Sequence, residues 1–197
     1  MMKKGLVLLI LVSLTACKYS TLPKKTTILE ASQDDNLGGT GTDSGDVKAM
    51  AERMAREIVS IQWPKVGATP RIAVLPIENQ TRFRVDPRLL QNKLVKDLVV
   101  FSKGQVSYLA RDSEQAVMAE RAKKRSGIYD QGKSSAAMAG ADYLLKGEMR
   151  SLSKASKEGV SDYIVYSFQL FDAETGVILW MGDYETKKMG QTGVIYQ

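Results

Sequence analysis

From Asp46 onward, apolar positions follow a helical rhythm. Val47, Met50, Ala51, Met54, Ile58 and Ile61 recur at three- and four-residue steps, one stripe along a helix. Asp43, Ser44 and Asp46 offer cap chemistry at its start, and Pro64 closes it. Arg71–Ile77 then predicts a strand apolar on both faces, hence a central one. A turn at Glu78–Thr81 leads into Arg82-Phe83-Arg84. Asp86 followed by Pro87 predicts an N-cap and first helical position. The helix after them directs Leu89, Leu90, Leu94, Leu98 and Phe101 inward and stops at Gly104. With a short strand at Val106–Leu109, this makes a parallel strand–helix–strand crossover.

A third helix is expected after Asp112 or Ser113, with Ala116, Val117 and Ala119 on its apolar side. Its basic end, Arg121–Arg125, complements the helix dipole. Residues 127–132 read as a loop, and Ser134–Ala141 as a short helix of small residues. Beyond it the rhythm changes to period two. Tyr143, Leu145 and Met149 alternate with Lys146, Glu148 and Arg150, a half-buried strand. A polar loop, Ser151–Gly159, precedes a strand over Tyr163–Phe171. Asp172–Gly176 is a hairpin loop, and the returning strand runs from Val177 to about Thr186, frayed from Lys187 on. The expected fold class is α/β (α+β). Its mixed sheet has about five strands, from a βαβ unit and an antiparallel meander, with helices packed on it.

The chain ahead of Asp46 has a different character. Lys3 and Lys4, the apolar run Leu6–Val12 and small residues before Cys17 describe a secretory signal peptide. The run is well short of the ~20 apolar residues that span a bilayer. Leu14-Thr15-Ala16-Cys17 resembles the bacterial lipobox, which makes residues 1–16 a signal peptide and Cys17 the lipid attachment site. Cys17 is the one cysteine of the sequence, so no disulfide competes for its thiol. By that resemblance Cys17 carries two or three acyl chains. At ~0.8 kcal/mol per buried CH₂, two or three chains anchor firmly where one is marginal. Lys18 stands where an aspartate would signal inner-membrane retention, so the resemblance implies the outer membrane, periplasmic side. Residues 17–45, rich in Thr, Ser, Asp and Gly, read as a tether. Such a coil averages ~30 Å end to end and stretches to ~90 Å. Residues 46–197 form the globular αβ domain. Gly39-x-Gly41 lacks the preceding strand that a phosphate loop needs.

Composition narrows the chemistry. The 44% hydrophobic content is that of a globular protein. There is no histidine, which removes His-dependent triads and imidazole zinc sites; a lipidated Cys17 removes thiol chemistry. No catalytic residue, metal or cofactor is expected. Ser151-Leu152-Ser153-Lys154 fits the S-x-x-K pattern of penicillin-recognising enzymes but has no K-T-G partner in the sequence. Asn79-Gln80-Thr81 is formally a glycosylation acceptor and is better explained as turn chemistry. Glu148 and Asp162 are the carboxylates that a fold could bring together. The formal charge is +6; removing Lys3 and Lys4 leaves 26 basic against 22 acidic residues. The excess lies in residues 46–139, a surface suited to solvent or an anionic partner. A periplasmic address excludes nucleic acid. Arg82-Phe83-Arg84 places an aromatic anchor between planar donors, the residue types of interface hot spots. These three are the candidate partner-binding residues; the other reading folds Phe83 back on the core.

Three stretches carry a family resemblance: Arg71–Thr81 (R-I-A-V-L-P-I-E-N-Q-T), Ala139–Leu145 (A-G-A-D-Y-L-L) and Thr175–Gly182 (T-G-V-I-L-W-M-G). Together with the lipobox and tether they resemble the LpoB family, outer-membrane lipoprotein activators of class A penicillin-binding proteins. The similarity covers roughly residues 46–186. It implies a docking module that reaches through the peptidoglycan and binds the periplasmic accessory domain of a bifunctional synthase, raising glycan polymerisation and cross-linking. The alternative is a structural or export/flagella-associated outer-membrane lipoprotein with a similar αβ domain. A curli-type pore needs added membrane-spanning strands of ~9–11 residues each, and no spare segment supplies them.

Overall fold

A computed structural model describes residues 26–33, 37–64, 69–130 and 137–191. Helix α1 spans Ser44–Val59. Strands β1 (Arg71–Val74) and β2 (Glu78–Gln80) precede helix α2 (Pro87–Ser102). Strand β3 (Ser107–Leu109) and a single 3₁₀ turn lead into helix α3 (Glu114–Arg125). Three 13-residue strands follow: β4 (Tyr143–Ala155), β5 (Val160–Asp172) and β6 (Ile178–Gly190).

The six strands form one mixed sheet in the order β3-β1-β4-β5-β6, with β2 also paired to β4. β1 runs parallel to β3 and to β4, and β2 parallel to β4. β4, β5 and β6 make an antiparallel meander. The sequence expectation of a mixed sheet holds, with six strands in place of about five. β1 is central as predicted: Ile72 and Ala73 point to opposite faces and both are buried.

Helices α1 and α2 cover one face. Met50, Met54 and Ile58 of α1 and Leu90, Leu94 and Leu98 of α2 meet Leu145, Met149, Ile164, Tyr166, Phe168 and Leu170 of the sheet. Gly147 permits close packing here. A Cβ at this position would lie 2.6 Å from the Phe168 ring and 3.2 Å from the Ile77 side chain. α1 is capped by a reciprocal pair: Asp46 N donates to Asp43 Oδ1 at 2.8 Å and Asp43 N to Asp46 Oδ2 at 3.0 Å. Asp86 caps α2, with Pro87 at the first turn. Lys103, at φ 48°, and Gly104, at φ 82°, end it in left-handed geometry.

Several expectations need correction. Ser151–Ala155, expected in a loop, extends β4. The only turn between β4 and β5 is the tight one at residues 156–159, closed by Ser156 N donating to the Gly159 carbonyl at 2.8 Å. Strand pairing outweighs the low apolar content of Ser151–Ala155. Glu78–Gln80, expected as a turn, adds a short strand beside Glu148–Arg150. β6 does not fray at Lys187; it continues to Gly190 in register with β5. Residues 137–141 are not helical, and the rest of the expected Ser134–Ala141 helix lies outside the described residues. α3 forms where predicted but buries nothing: Val117 is 42% exposed and Ala116 and Ala119 are exposed too. Leu89, expected inward, is 58% exposed. The first helical turn begins at Ser44, ahead of the sequence boundary at residue 46, and Thr40 is buried.

Candidate functional site

The loop carrying Arg82, Phe83 and Arg84 is built around one side-chain amide. Asn79 Nδ2 donates to the Phe83 carbonyl at 2.9 Å and to the Val85 carbonyl at 3.2 Å. Its Oδ1 accepts from the Thr81 backbone N–H at 2.9 Å and from the Thr81 hydroxyl at 2.7 Å. The Thr81 oxygen in turn accepts from the Phe83 N–H at 3.2 Å. Asn79 and Gln80 lie in β2, and the Asn79 side chain organises the loop that follows: a short polar side chain replaces backbone partners that a tight loop cannot supply.

The loop sends its three candidate residues in three directions. Phe83 is 5% exposed and belongs to the core, the outcome of its second reading. The Arg82 guanidinium lies 4.5 Å over the Phe83 ring. It also forks onto Asp162, with Nε–Oδ1 at 3.0 Å and Nη2–Oδ2 at 2.5 Å. Arg84 is exposed to solvent. A surface that a partner could touch thus includes Arg84 and the outer side of Arg82, but not the Phe83 ring.

Asp162 has no accessible surface and also accepts from the hydroxyls of Ser153 and Thr40. Burial alone would raise its carboxyl. The hydrogen bonds from Arg82, Ser153 and Thr40 outweigh burial and hold it down at about 2. Next to it in the sheet, Lys188 donates to Asp43 Oδ2 at 2.5 Å, Asp46 Oδ2 at 2.6 Å and the Gly41 carbonyl at 3.1 Å. Burial disfavours the ammonium, yet the bonds to Asp43 and Asp46 raise its pKa. Thr42 Oγ1 lies 2.6 Å from the Tyr166 hydroxyl, which burial pushes up. Ser153, Asp162 and Lys188 thus form a polar row across β4, β5 and β6 that seats residues 40–46 on the sheet. The Gly-rich composition around Thr40 hid this role, because nothing local distinguishes Thr40 from its tether neighbours.

The motifs that suggested chemistry come apart. Ser151 and Lys154 both lie in β4, three residues apart, and so face opposite sides of the sheet. Glu148 and Asp162 do not meet. Glu148 pairs with Ser167, and Asp162 with Ser153, in a register that puts the two acids on opposite faces. Among the described residues no group of three or more His, Cys, Asp or Glu could hold a metal ion. No helix among them is long and apolar enough to cross a membrane. Cys17 lies outside the described residues.

The three stretches that carry the family resemblance hold structural joints. Arg71 opens β1 and forks onto Asp142, just before β4, with Nε–Oδ2 at 3.0 Å and Nη2–Oδ1 at 2.9 Å. At the β5–β6 hairpin, Asp172 Oδ1 accepts from the backbone of Glu174 and Thr175 and from the Thr175 hydroxyl. Gly176 then turns the chain at φ 71°. The Trp180 ring crosses Gly182, where a Cβ would lie 2.3 Å from it.

Residues 46–186 match the family model described as peptidoglycan-synthase activator LpoB. The LpoB C-terminal domain from Salmonella enterica is 15% identical at a TM-score of 0.46, covering 72% of this chain and 98% of that domain. The LpoB C-terminal domain from Escherichia coli is 18% identical at a TM-score of 0.45, with the same coverage. No curated protein sequence matches the chain. The assignment rests on the family match, which takes in both core helices, α3 and nearly all of the sheet. On that span the chain belongs to the LpoB family of peptidoglycan-synthase activators.

Proposed function

We propose that this protein is an outer-membrane lipoprotein, anchored through lipid on Cys17, that binds the periplasmic accessory domain of a bifunctional class A penicillin-binding protein and stimulates peptidoglycan synthesis. The observation that carries this reading is the family match over residues 46–186. The lipobox at Leu14–Cys17 and the composition of the tether agree with it.

An activator of this kind does no chemistry on the substrate. It must bind the active arrangement of the synthase more tightly than the resting one, and coupling of about 1–3 kcal/mol is typical. That corresponds to a roughly 5–150-fold shift between the two states. A rigid domain suits the task, because surface that is ordered before contact loses less entropy on binding.

Two measurements test the reading. The full-length chain, purified in detergent, is expected to bind the class A synthase of the same cell at micromolar concentration or below; no binding at that concentration contradicts the proposal. In cells, Cys17→Ala is expected to remove the protein from the outer-membrane fraction. Unchanged fractionation of that variant would refute the anchor.

A further inference from the structure

A groove opens beside Arg84, between the N-terminal ends of α1 and α2. Its floor is apolar: Val47 from α1, Val85 from the loop and Leu89 from α2, with Ala31 of the segment 26–33 against it. Its rim is basic, with Lys48, Arg84 and Lys93 around that floor. Leu89 is 58% exposed although it sits in the first turn of a core helix. An exposed leucine that shares a groove with three cations offers an apolar contact beside charge, the residue types of an anchor point.

The state of the cations sharpens the reading. Lys93 is paired with Asp97. Lys48 and Arg84 have no salt-bridge or hydrogen-bond partner among the described residues. Glu52, one turn beyond Lys48, is taken by Arg56 at 2.7 Å. Asp86, the acid within the groove, is committed to the α2 cap through Arg88 N. Lys48 and Arg84 therefore line the groove without an ion pair or a hydrogen bond, and Glu52 acts on Lys48 only through longer-range attraction.

We propose that this groove is where the synthase docks. The occupant is an acidic segment of that enzyme, which seats one apolar side chain on Val47, Val85 and Leu89 and pairs its carboxylates with Lys48 and Arg84. The inference rests on the function proposed above and adds the surface and its chemistry. Complementary charge of this kind sets orientation and speeds encounter, so binding should weaken as salt rises.

The test compares the natural full-length chain and three variants, all in detergent, for binding to the purified class A synthase. The variant Lys48→Glu with Arg84→Glu is expected to bind at least tenfold more weakly than the natural chain, and with a flatter salt dependence. Leu89→Ser is expected to weaken binding several-fold. A control reversal on α3, Lys123→Glu with Lys124→Glu, is expected to stay within twofold. Lys48, Arg84, Leu89 and Lys123 are exposed and Lys124 is half-buried, and an unchanged melting temperature confirms that each variant folds. If the natural chain binds but the groove reversal binds equally well, the groove assignment is overturned and the proposed function stands. The assignment also falls if the α3 control weakens binding as much as the groove reversal. It falls again if the reversal changes only self-association, or only the seating of residues 26–33, with synthase affinity unchanged. If the natural chain does not bind at all, the proposed function itself fails.

Discussion

Asp162 is an ionised carboxylate with no contact with water, held so by the donors that converge on it from Arg82, Ser153 and Thr40. Its pKa falls from an ordinary 3.8 to about 2. A carboxyl depressed on folding contributes stability that is present above its unfolded pKa and is lost as pH falls through the folded value. The contribution here is on the order of 2 kcal/mol, present above pH 4 and lost between about pH 4 and pH 2. Asp43, lowered by Lys188 and by the backbone of Asp46 against its own burial, acts with the same sign. Asp162→Asn is expected to destabilise the domain by about 2–3 kcal/mol at neutral pH, less than the roughly 3–5 kcal/mol of a fully buried broken pair because Arg82 can reach water. Urea unfolding at pH 7, 4 and 2 checks it: the variant should lose part of the acid sensitivity of the natural chain. Parallel curves for the two proteins would contradict the role given to Asp162. At this scale the sequence was a partial guide. The residue types mark Arg82 as a contact residue, but its partner is 80 positions away, and no local pattern reports a pairing made by sheet register.

Among the elements, those with a local cause were legible and those with a distant cause were not. The cap of α1, the Asp86-Pro87 start of α2 and the Asp172–Gly176 hairpin are each written in a few adjacent residues, and each forms where expected. The second half of β4 is different. Ser151–Ala155 is polar enough to read as a loop and becomes strand because β5 lies beside it along all 13 residues. Likewise α3 has apolar residues at helical spacing but no surface to bury them on. Gly147 shows how packing fixes an element whose local sequence tolerates alternatives. The Phe168 ring occupies the space of a side chain, and Phe168 and Ile77 are both buried. Gly147→Ala is therefore expected to cost roughly 1–3 kcal/mol, the range for overpacking a closed core. The midpoint of denaturant unfolding measures it. A neutral result would mean that the Phe168 ring moves aside more easily than this packing implies.

For the whole molecule, the fold class came from two periodicities, three- and four-residue steps followed by alternation, and those are properties of the chain rather than of any site. The candidate site was less legible. The Arg-Phe-Arg pattern marks Arg84, but Lys48 lies 36 positions earlier and the helical spacing points Leu89 to the core; only the approach of the two helix starts brings them together. The groove sits beside Thr42 and Ser44, where the chain enters the domain. The proposed function stands on contact at such a surface altering the rate of another enzyme. The direct measurement is the rate of glycan-strand synthesis by the class A synthase, with and without the full-length chain at micromolar concentration. The account predicts a several-fold increase that the Lys48→Glu, Arg84→Glu variant fails to produce; an unchanged rate with the natural chain, under conditions where the synthase is active, would contradict it.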